Sequence, residues 1–405
     1  MSFRRIRSAR RSADVALVLA ALVLVSACST SSSSSPSKSR RDAPASSTSS
    51  SRPSAPTSTP TSAPATPGAD KRTPLFVHYY LWWDAAHWKA KLGPAYPAGQ
   101  RPLPLPATLD SAGCAATPSF PGTTLIDVPA PPLGLYSQDD PSTFATHIDQ
   151  AVRAGIDGFV VSWSGNGDAA QSPSSSPFDR RLDLLVREVR AHNARTGDHF
   201  ALMLGYQGLD NSRTPRAASR IATDLDYFIR MYATDPVFSV PAYGKKPVVM
   251  FLNSRKFSVP SLTALLTSRR AALTLIGDEH GLASWQRGVA PLFDGDGWYW
   301  SAENPSTNRG AAKMLTGLAD QIHAEHKLWF SPLSAGYNKS NFGIGGTCVP
   351  HRGGETLRTI YDANRVSNPD GWMLISWNEF LENTYVEPSV RSGSALLDAI
   401  RALGA

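Results

Sequence analysis

The chain has 405 residues, of which 41% are apolar, and a formal net charge of +7. This length suits one large domain with additional segments, since α/β barrels need roughly 250 residues. The positive charge is concentrated near the beginning: residues 1–28 hold five Arg and one Asp, and residues 29–72 hold six Lys or Arg and two Asp. Residues 73–405 are therefore close to neutral, which argues against a surface that binds nucleic acid.

The first 28 residues have the pattern of an export signal. Five Arg precede an apolar run over residues 15–25, which is shorter than the roughly 20 residues that a membrane-spanning helix needs. The run ends in VSAC at residues 25–28, which resembles the lipobox of bacterial lipoproteins, in which the Cys is lipidated. An ordinary secretory signal cleaved after Ala27 satisfies the same small-residue rule. Both interpretations predict export: the first to an outward-facing lipid anchor on the cell membrane at Cys28, the second as a secreted protein.

Residues 29–72 have the composition of a disordered linker. They are rich in Ser, Thr, Pro and Ala and contain no aromatic residue. Such a segment cannot bury enough apolar surface to offset the entropy lost when its backbone is ordered. We therefore predict a flexible stalk between the signal and a folded domain over residues 73–405.

Two cysteines, Cys114 and Cys348, remain after Cys28. In an exported protein such a pair is a candidate disulfide. The sequence alone does not show whether their Cα atoms come within the bonding range of about 7 Å.

The folded domain alternates buried strand patterns with amphipathic helix patterns. After a strand over residues 75–81 and a Pro-rich insertion, a helix is predicted to begin at Asp140-Pro141, because Asp is a preferred cap and Pro suits the first helical position. The other strands are predicted over residues 156–163, 200–206, 247–253, 272–276, 292–300, 328–332 and 372–377. The other helices are predicted over residues 178–192, 224–232, 260–270, 311–323 and 355–366. Eight such units without a Gly-rich phosphate loop favour a closed (β/α)8 TIM-type barrel over an open doubly wound sheet.

Candidate ligand-binding residues close the predicted strands, because a (β/α)8 barrel carries its site at the carboxyl ends of its strands. Many of these residues are Trp or Tyr, and aromatic rings suit sugars, whose C–H faces stack on them while hydroxyl groups bond to amides and carboxylates. For any single aromatic residue, packing in the core explains its presence equally well. The predicted set comprises Tyr80, Trp82, Trp83, His87, Trp88, Trp163, Tyr206, Gln207, Asn253, Tyr299, Trp300, Tyr337 and Asn338.

The strongest chemical signal follows the last predicted strand. Residues 377–388 read WNEFLENTYVEP, in which Glu379 and Glu382 are three positions apart. If the chain turns here, both carboxylates face one pocket. Glycoside cleavage needs such a pair, since one carboxyl protonates the leaving oxygen while the other assists at the sugar. From the spacing alone, two solvated charges on a short turn are the better explanation.

The same segment resembles the Trp-Asn-Glu-x-x-Glu-Gly-Thr-x-x-Glu-Pro signature of the endo-α-mannosidase family, glycoside hydrolase family 99. Relatives of that family include the WbsX-like polysaccharide proteins and, more distantly, the α-1,3-glucanase family 71. The sequence YYLWW at residues 79–83 and the later His87-Trp88 are similar to the family's first strand, and residues 154–163 are similar to its second βα unit. The resemblance spans nearly all of residues 73–390, and it adds Trp377 and Asn378 to the predicted binding residues.

The resemblance implies retaining cleavage of an α-linked glycan through a 1,2-anhydro sugar. Glu379 would then be the base that takes the proton of the 2-hydroxyl group, and Glu382 the general acid and later base. Three departures weaken any expectation of mannose specificity, although not of the catalytic pair. Phe380-Leu381 replaces the family's Trp-His, Asn383 replaces its Gly, and Gln207 stands where related sequences carry an acid.

The predicted function is therefore that of an exported glycoside hydrolase whose partner is a polysaccharide or glycoconjugate. The alternatives are a non-catalytic glycan-binding lipoprotein and a WbsX-like polysaccharide-processing protein. A glycosyltransferase is disfavoured, because nucleotide-sugar donors are cytoplasmic. We expect a monomer without a cofactor, and no His or Cys spacing indicates a metal site.

Overall fold

The structure is a computed structural model that describes residues 72–96, 114, 125–166, 176–338 and 347–404. The predicted signal peptide, the lipidation site Cys28 and the predicted linker up to residue 71 lie outside the described residues. Among the described residues, none of the helices is both long and apolar enough to cross a membrane.

Eight parallel strands close into a barrel. The strands of the barrel are β1 (Leu75–Tyr80), β2 (Gly158–Trp163), β3 (Ala201–Gln207), β4 (Val248–Leu252), β5 (Thr274–Gly277), β6 (Gly295–Gly297), β7 (Leu328–Ser334) and β10 (Gly371–Ile375), and the described residues also form β8 (Tyr337–Asn338) and β9 (Cys348–Val349). The barrel order is β1-β2-β3-β4-β5-β6-β7-β10, with β10 pairing back to β1, while β8 and β9 form a separate antiparallel pair. The (β/α)8 barrel predicted from the sequence is confirmed.

Helices surround the barrel. They are α1 (Ala85–Leu92), α2 (Pro141–Arg153), α3 (Ser176–Thr196), α4 (Ala218–Tyr232), α5 (Val259–Leu266), α6 (Leu282–Trp285), α7 (Ala311–Ala324), α8 (Glu355–Asn364) and α9 (Ala395–Arg401). The start of α2 is as predicted: Asp140 precedes Pro141, and its side chain accepts a hydrogen bond from the backbone N–H of Ser142. Phe144, Ile148 and Ala151 form the buried face of that helix.

Alternate residues of each strand face opposite sides of the barrel wall. In β1, Leu75, Val77 and Tyr79 belong to the core between strands and helices. Phe76 faces the barrel interior, where its ring lies 6.2 Å from that of Tyr243, which in turn lies 5.0 Å from Phe330. The starts of the strands are therefore filled by aromatic side chains, and polar groups gather at the opposite end.

The predicted disulfide is present. Cys114 and Cys348 are bonded, with their Cα atoms 5.6 Å apart and 234 positions between them in the sequence. The bond ties β9 to the insertion that follows α1.

Candidate active site

Glu379 and Glu382 lie on a loop that begins directly after β10. The neck of this loop is closed by Ser376 and Thr384, whose backbone groups bond at 2.9 Å and whose hydroxyl groups lie 2.9 Å apart. Within the loop, the backbone N–H of Glu379 donates to Ser376 Oγ at 3.1 Å, and Glu382 O accepts from the N–H of Asn338 at 2.7 Å. These bonds hold both acids at the carboxyl end of the barrel.

Asn383 explains how this loop tolerates a departure from the family signature. Its φ is +56°, in the left-handed region where Gly is favoured and Asn is the residue that most often replaces it. The replacement of the family's Gly therefore preserves the backbone turn.

The two carboxyls are buried and influence one another. Glu379 is 3% exposed and Glu382 is 1% exposed. Burial, followed by the charge of Glu382, raises the pKa of Glu379 well above its usual value, while the N–H of Leu381, 2.8 Å from Glu379 Oε1, opposes the shift. The pair therefore resists carrying two negative charges at once, as expected for close carboxyls in a poorly solvated site.

Phenol groups surround the acids. Tyr80 and Tyr299 share a hydrogen bond between their hydroxyl groups. Burial and the charges of Glu379 and Glu382 raise the pKa of both phenols, and the same causes raise the pKa of Tyr337. All three groups are therefore neutral hydrogen-bond donors at physiological pH. Beneath them His78 packs edge-on against Tyr299, and burial lowers its pKa to about 3, so this imidazole is neutral as well.

Trp82 and His87 extend the site from Tyr80. The Trp82 ring stacks on Tyr80 with 4.4 Å between ring centroids, and the His87 ring lies parallel to Trp82 at 6.2 Å. Trp82 and His87 are both partly exposed. Asn378 fixes the start of this aromatic row, because its Oδ1 accepts from the N–H of Tyr80 and its Nδ2 donates to Tyr80 O, each at 2.9 Å.

Five of the predicted binding residues lie in the core instead, so their assignment to sugar contact is corrected. The five are Trp83, Trp88, Trp163, Tyr206 and Trp377, and none has exposed surface. Trp83 stacks on Trp88 at 3.7 Å. Trp163 and Tyr206 are register partners on β2 and β3, and both face the helix layer, where Tyr206 donates to Asp224 at 3.0 Å. Because successive side chains of a strand point to opposite faces, Trp163 and Tyr206 point away from the barrel interior.

The remaining predicted residues lie at or near the mouth. Gln207 is partly exposed and donates to Ser162 Oγ at 2.8 Å. Asn253 is partly exposed with a left-handed backbone, Trp300 stacks on Trp298 at 4.7 Å, and Asn338 is buried behind Glu382. Of the predicted residues, the structure therefore brings the phenols of Tyr80, Tyr299 and Tyr337 within electrostatic reach of the acids. Trp82 and Asn378 contact Tyr80.

Asp278 is a site residue that the sequence analysis missed. It follows β5, and its Oδ1 accepts from the N–H of Tyr299 at 3.0 Å while its Oδ2 accepts from the N–H of Asn253 at 2.7 Å. Although burial opposes ionisation, His280 and Arg255 hold the pKa of Asp278 below its usual range. The signal was present, since Asp278 is an acid that closes a barrel strand.

Two basic residues were also missed. Lys91, in α1, interacts electrostatically with Glu379. Arg213, in the loop between β3 and α4, interacts electrostatically with Glu382. Their positions depend on loops and tertiary contacts that no local pattern marks.

Glu387, the third acid of the motif, has a structural environment. It is buried, with Oε2 accepting from Tyr136 at 2.9 Å and Oε1 lying 3.0 Å from His147 Nε2. Among the described residues, no group of three or more His, Cys, Asp or Glu is arranged to hold a metal ion.

Solved structures share this fold. The protein is similar to the GH99 endo-alpha-mannosidase from Bacteroides thetaiotaomicron in complex with Bis-Tris-propane, with a TM-score of 0.60 and 17% identity, covering 82% of this chain and 96% of that one. A second structure of the GH99 endo-alpha-mannosidase from that organism gives a TM-score of 0.57 and 19% identity, covering 78% and 88% of the two chains. A glycoside hydrolase-like protein gives 0.51 and 17%, covering 70% and 91%. No protein-family model and no curated protein matches the sequence. At the level of the fold, the resemblance to family 99 is confirmed.

Proposed function

We propose that the protein is a glycoside hydrolase that cleaves α-linked glycans, with Glu379 and Glu382 as its catalytic carboxyls. One observation carries the proposal: the two acids are buried together at the carboxyl end of the barrel, where they oppose simultaneous ionisation. Two buried carboxyls that oppose simultaneous ionisation suit acid–base chemistry, in which one gives a proton while the other takes one. The solvated-charge alternative does not fit side chains that are at most 3% exposed.

The proposed reaction uses one ionised and one protonated carboxyl. Glu379 takes the proton of the 2-hydroxyl group, and the resulting oxygen attacks C1 while the glycosidic bond breaks. Glu382 gives its proton to the leaving oxygen, which yields a 1,2-anhydro sugar. Glu382 then takes a proton from a water molecule that attacks C1, and the 2-oxygen regains its proton from Glu379. The two carboxyls oppose simultaneous ionisation, which favours a state with one proton between them, as this reaction needs.

The phenol and aromatic groups support glycan binding at the same place. Tyr80, Tyr299 and Tyr337 are neutral donors within electrostatic reach of both acids, and sugar hydroxyl groups need such donors. Trp82 offers a partly exposed aromatic ring beside them. The substitution of Phe380-Leu381 for the family's Trp-His leaves the identity of the sugar open to experiment.

We also propose that the protein is exported and held on the outer face of the cell membrane by a lipid on Cys28. The Arg-rich start, the short apolar run and the VSAC sequence support this location. Expression of the full chain with and without Cys28→Ala tests it: the wild type is expected in the membrane fraction, and the variant in the medium or in its uncleaved precursor form. Wild-type protein that is processed and found only in the medium would favour an ordinary secretory signal.

Hydrolysis of a glycan panel tests the activity. The full chain is incubated with α-mannans, α-glucans and bacterial cell-envelope glycans, and Glu379→Gln and Glu382→Gln are compared with the wild type. Each is expected to lower the rate by about 10²- to 10⁴-fold, the usual contribution of an acid or base. Glu303→Gln is the matched control, since Glu303 is also a buried glutamate, and its pKa is raised by burial to about 7. Wild-type binding without cleavage, unchanged in the Gln variants, would instead identify a glycan-binding protein.

A further inference from the structure

Two basic side chains lie beside the acids without a partner of their own. Within the described part of the chain, the side chains of Lys91 and Arg213 form neither a hydrogen bond nor an ion pair, and both residues are partly buried. Burial lowers the pKa of both groups. The negative charge of Glu379 opposes this shift at Lys91, and that of Glu382 opposes it at Arg213. A partly desolvated cation without a partner costs stability, so a ligand that supplies the missing negative charge would be bound favourably.

Lys91 belongs to the aromatic side of the site. It follows His87 by four residues on α1, so the two side chains project from the same face of the helix. His87 lies parallel to Trp82, which stacks on Tyr80. Lys91 therefore extends the row that begins beside Glu379.

Arg213 lies in a tight loop within electrostatic reach of Glu382. Its φ of +62° is unusual for a residue with a side chain, and Asp210 maintains that turn. Asp210 Oδ1 accepts from the N–H groups of Ser212 at 2.8 Å and of Thr214 at 3.0 Å, and Asp210 O accepts from the N–H of Arg213 at 2.9 Å. Backbone strain held by a side chain in this way is commonly found at functional positions.

Neighbouring arginines do not share this property. Arg216 and Arg220, which follow Arg213 in the chain, both pair with the buried Asp224, at 3.3 and 2.9 Å. Lys91 and Arg213 also stop short of ion pairs with the catalytic acids, so they are not neutralised by them. The two cations are therefore available to a ligand.

We propose that the site takes an acidic glycan, whose carboxylate or phosphate groups are bound by Arg213 on the side of Glu382 and by Lys91 on the side of Glu379. Arg suits such groups because its guanidinium donates two parallel hydrogen bonds. This inference rests on the proposed function, since it takes the two acids to face a bound glycan.

Paired probes test the proposal. One pair is an α-linked oligogalacturonate before and after reduction of its carboxyl groups, and the other is an α-linked mannooligosaccharide 6-phosphate before and after phosphatase treatment. Binding to the full chain is measured by calorimetry where a probe is not cut, and kcat/KM is measured where it is. The acidic member of one pair is expected to be preferred by about tenfold or more, and which pair shows the preference separates carboxylate from phosphate recognition.

Variants separate substrate binding from a general effect on the site. Arg213→Met is expected to reduce the preference for the acidic member about tenfold and Lys91→Met to reduce it less, because in each variant the acidic member loses more than the neutral member. Lys313→Met, at a lysine of α7, is the matched control.

Equal or better use of the neutral member in both pairs, or an equal loss for both members in Arg213→Met, would overturn the proposal. Selective binding of an acidic probe without cleavage would contradict the proposed hydrolysis alone, whereas cleavage indifferent to charge would contradict this inference alone.

Discussion

Glu379 illustrates the conflict between chemistry and stability at a single residue. A carboxyl that is buried beside a second carboxyl is harder to ionise in the folded protein than in the unfolded chain. Its ionisation therefore favours unfolding. The free energy of unfolding therefore falls as the pH rises from the pKa of Glu379 in the unfolded chain to its raised pKa in the folded state. Each unit of difference between the two pKa values lowers it by about 1.4 kcal/mol.

Glu379→Gln should consequently stabilise the protein. The amide imitates the protonated carboxyl and can still accept from the N–H of Leu381. We expect the variant to gain free energy of unfolding over the wild type at pH 8 and to lose that gain below about pH 4, where the carboxyl is protonated in both states. Urea unfolding at both pH values measures the difference, and a variant that is less stable than the wild type at pH 8 would contradict the expectation.

Asp278 is expected to act through the residues that it positions. Asp278→Asn weakens the bonds to the N–H groups of Tyr299 and Asn253 and should lower kcat about 10- to 100-fold, because small displacements of a positioned group are costly in catalysis. KM should change less. Asp226→Asn is the matched control. It removes a carboxylate that lies away from the site and forms an ion pair with Arg269, with 2.7 Å between the charged atoms. An unchanged kcat with only a lower Tm would show that Asp278 has a purely structural role.

At the scale of secondary structure, hydrophobic periodicity predicted all eight barrel strands. The weakest was β6, expected over residues 292–300 but limited to Gly295–Gly297, because Ala290–Leu292 forms a short 3-10 helix instead. The carboxyl ends of the other seven barrel strands lie within two residues of the predicted ends, but which residues near those ends face the barrel interior was not always predicted correctly. Trp163 and Tyr206 close their strands but face the helices, so their position in the sequence overstated their access to a ligand.

Glu379 and Glu382 were predicted as a pair because residues 377–388 resemble the signature of family 99, whereas their spacing alone favoured two solvated charges. Asp278, Lys91 and Arg213 reach the site from separate segments, and only the closed barrel brings them near the acids. A local sequence pattern does not show which distant segments come together in the folded barrel. For this reason the sequence pointed to these two carboxyls but not to the charged residues around them.

The loop after β10 provides a test at this scale. Asn383→Gly and Asn383→Ala both remove the same side chain, but only Gly adopts a φ of +56° without strain. We expect the Gly variant to be more stable than the Ala variant by about 1 kcal/mol. Thermal unfolding of the two proteins measures the difference, and equal stability would show that the loop relaxes to another turn.

For the whole molecule, the disulfide should contribute substantially to stability. It closes a loop of 234 positions, and restricting so long a loop in the unfolded chain is worth up to about 5 kcal/mol. The double variant Cys114→Ser, Cys348→Ser should therefore unfold at a lower temperature. A reducing agent should lower the Tm of the wild type and leave that of the variant unchanged. The same Tm in the oxidised and reduced wild type would contradict this expectation.

The contact between Tyr80 and Asn378 joins residues that are 298 positions apart. It lies at the seam where the first strand of the barrel meets the last. During synthesis, Tyr80 and Trp82 thus leave the ribosome long before Glu379 and Glu382. A nascent or shortened polypeptide that lacks β10 has neither the acids nor a closed barrel. The closed barrel and the position of both proposed catalytic acids therefore depend on β10 being paired with β1.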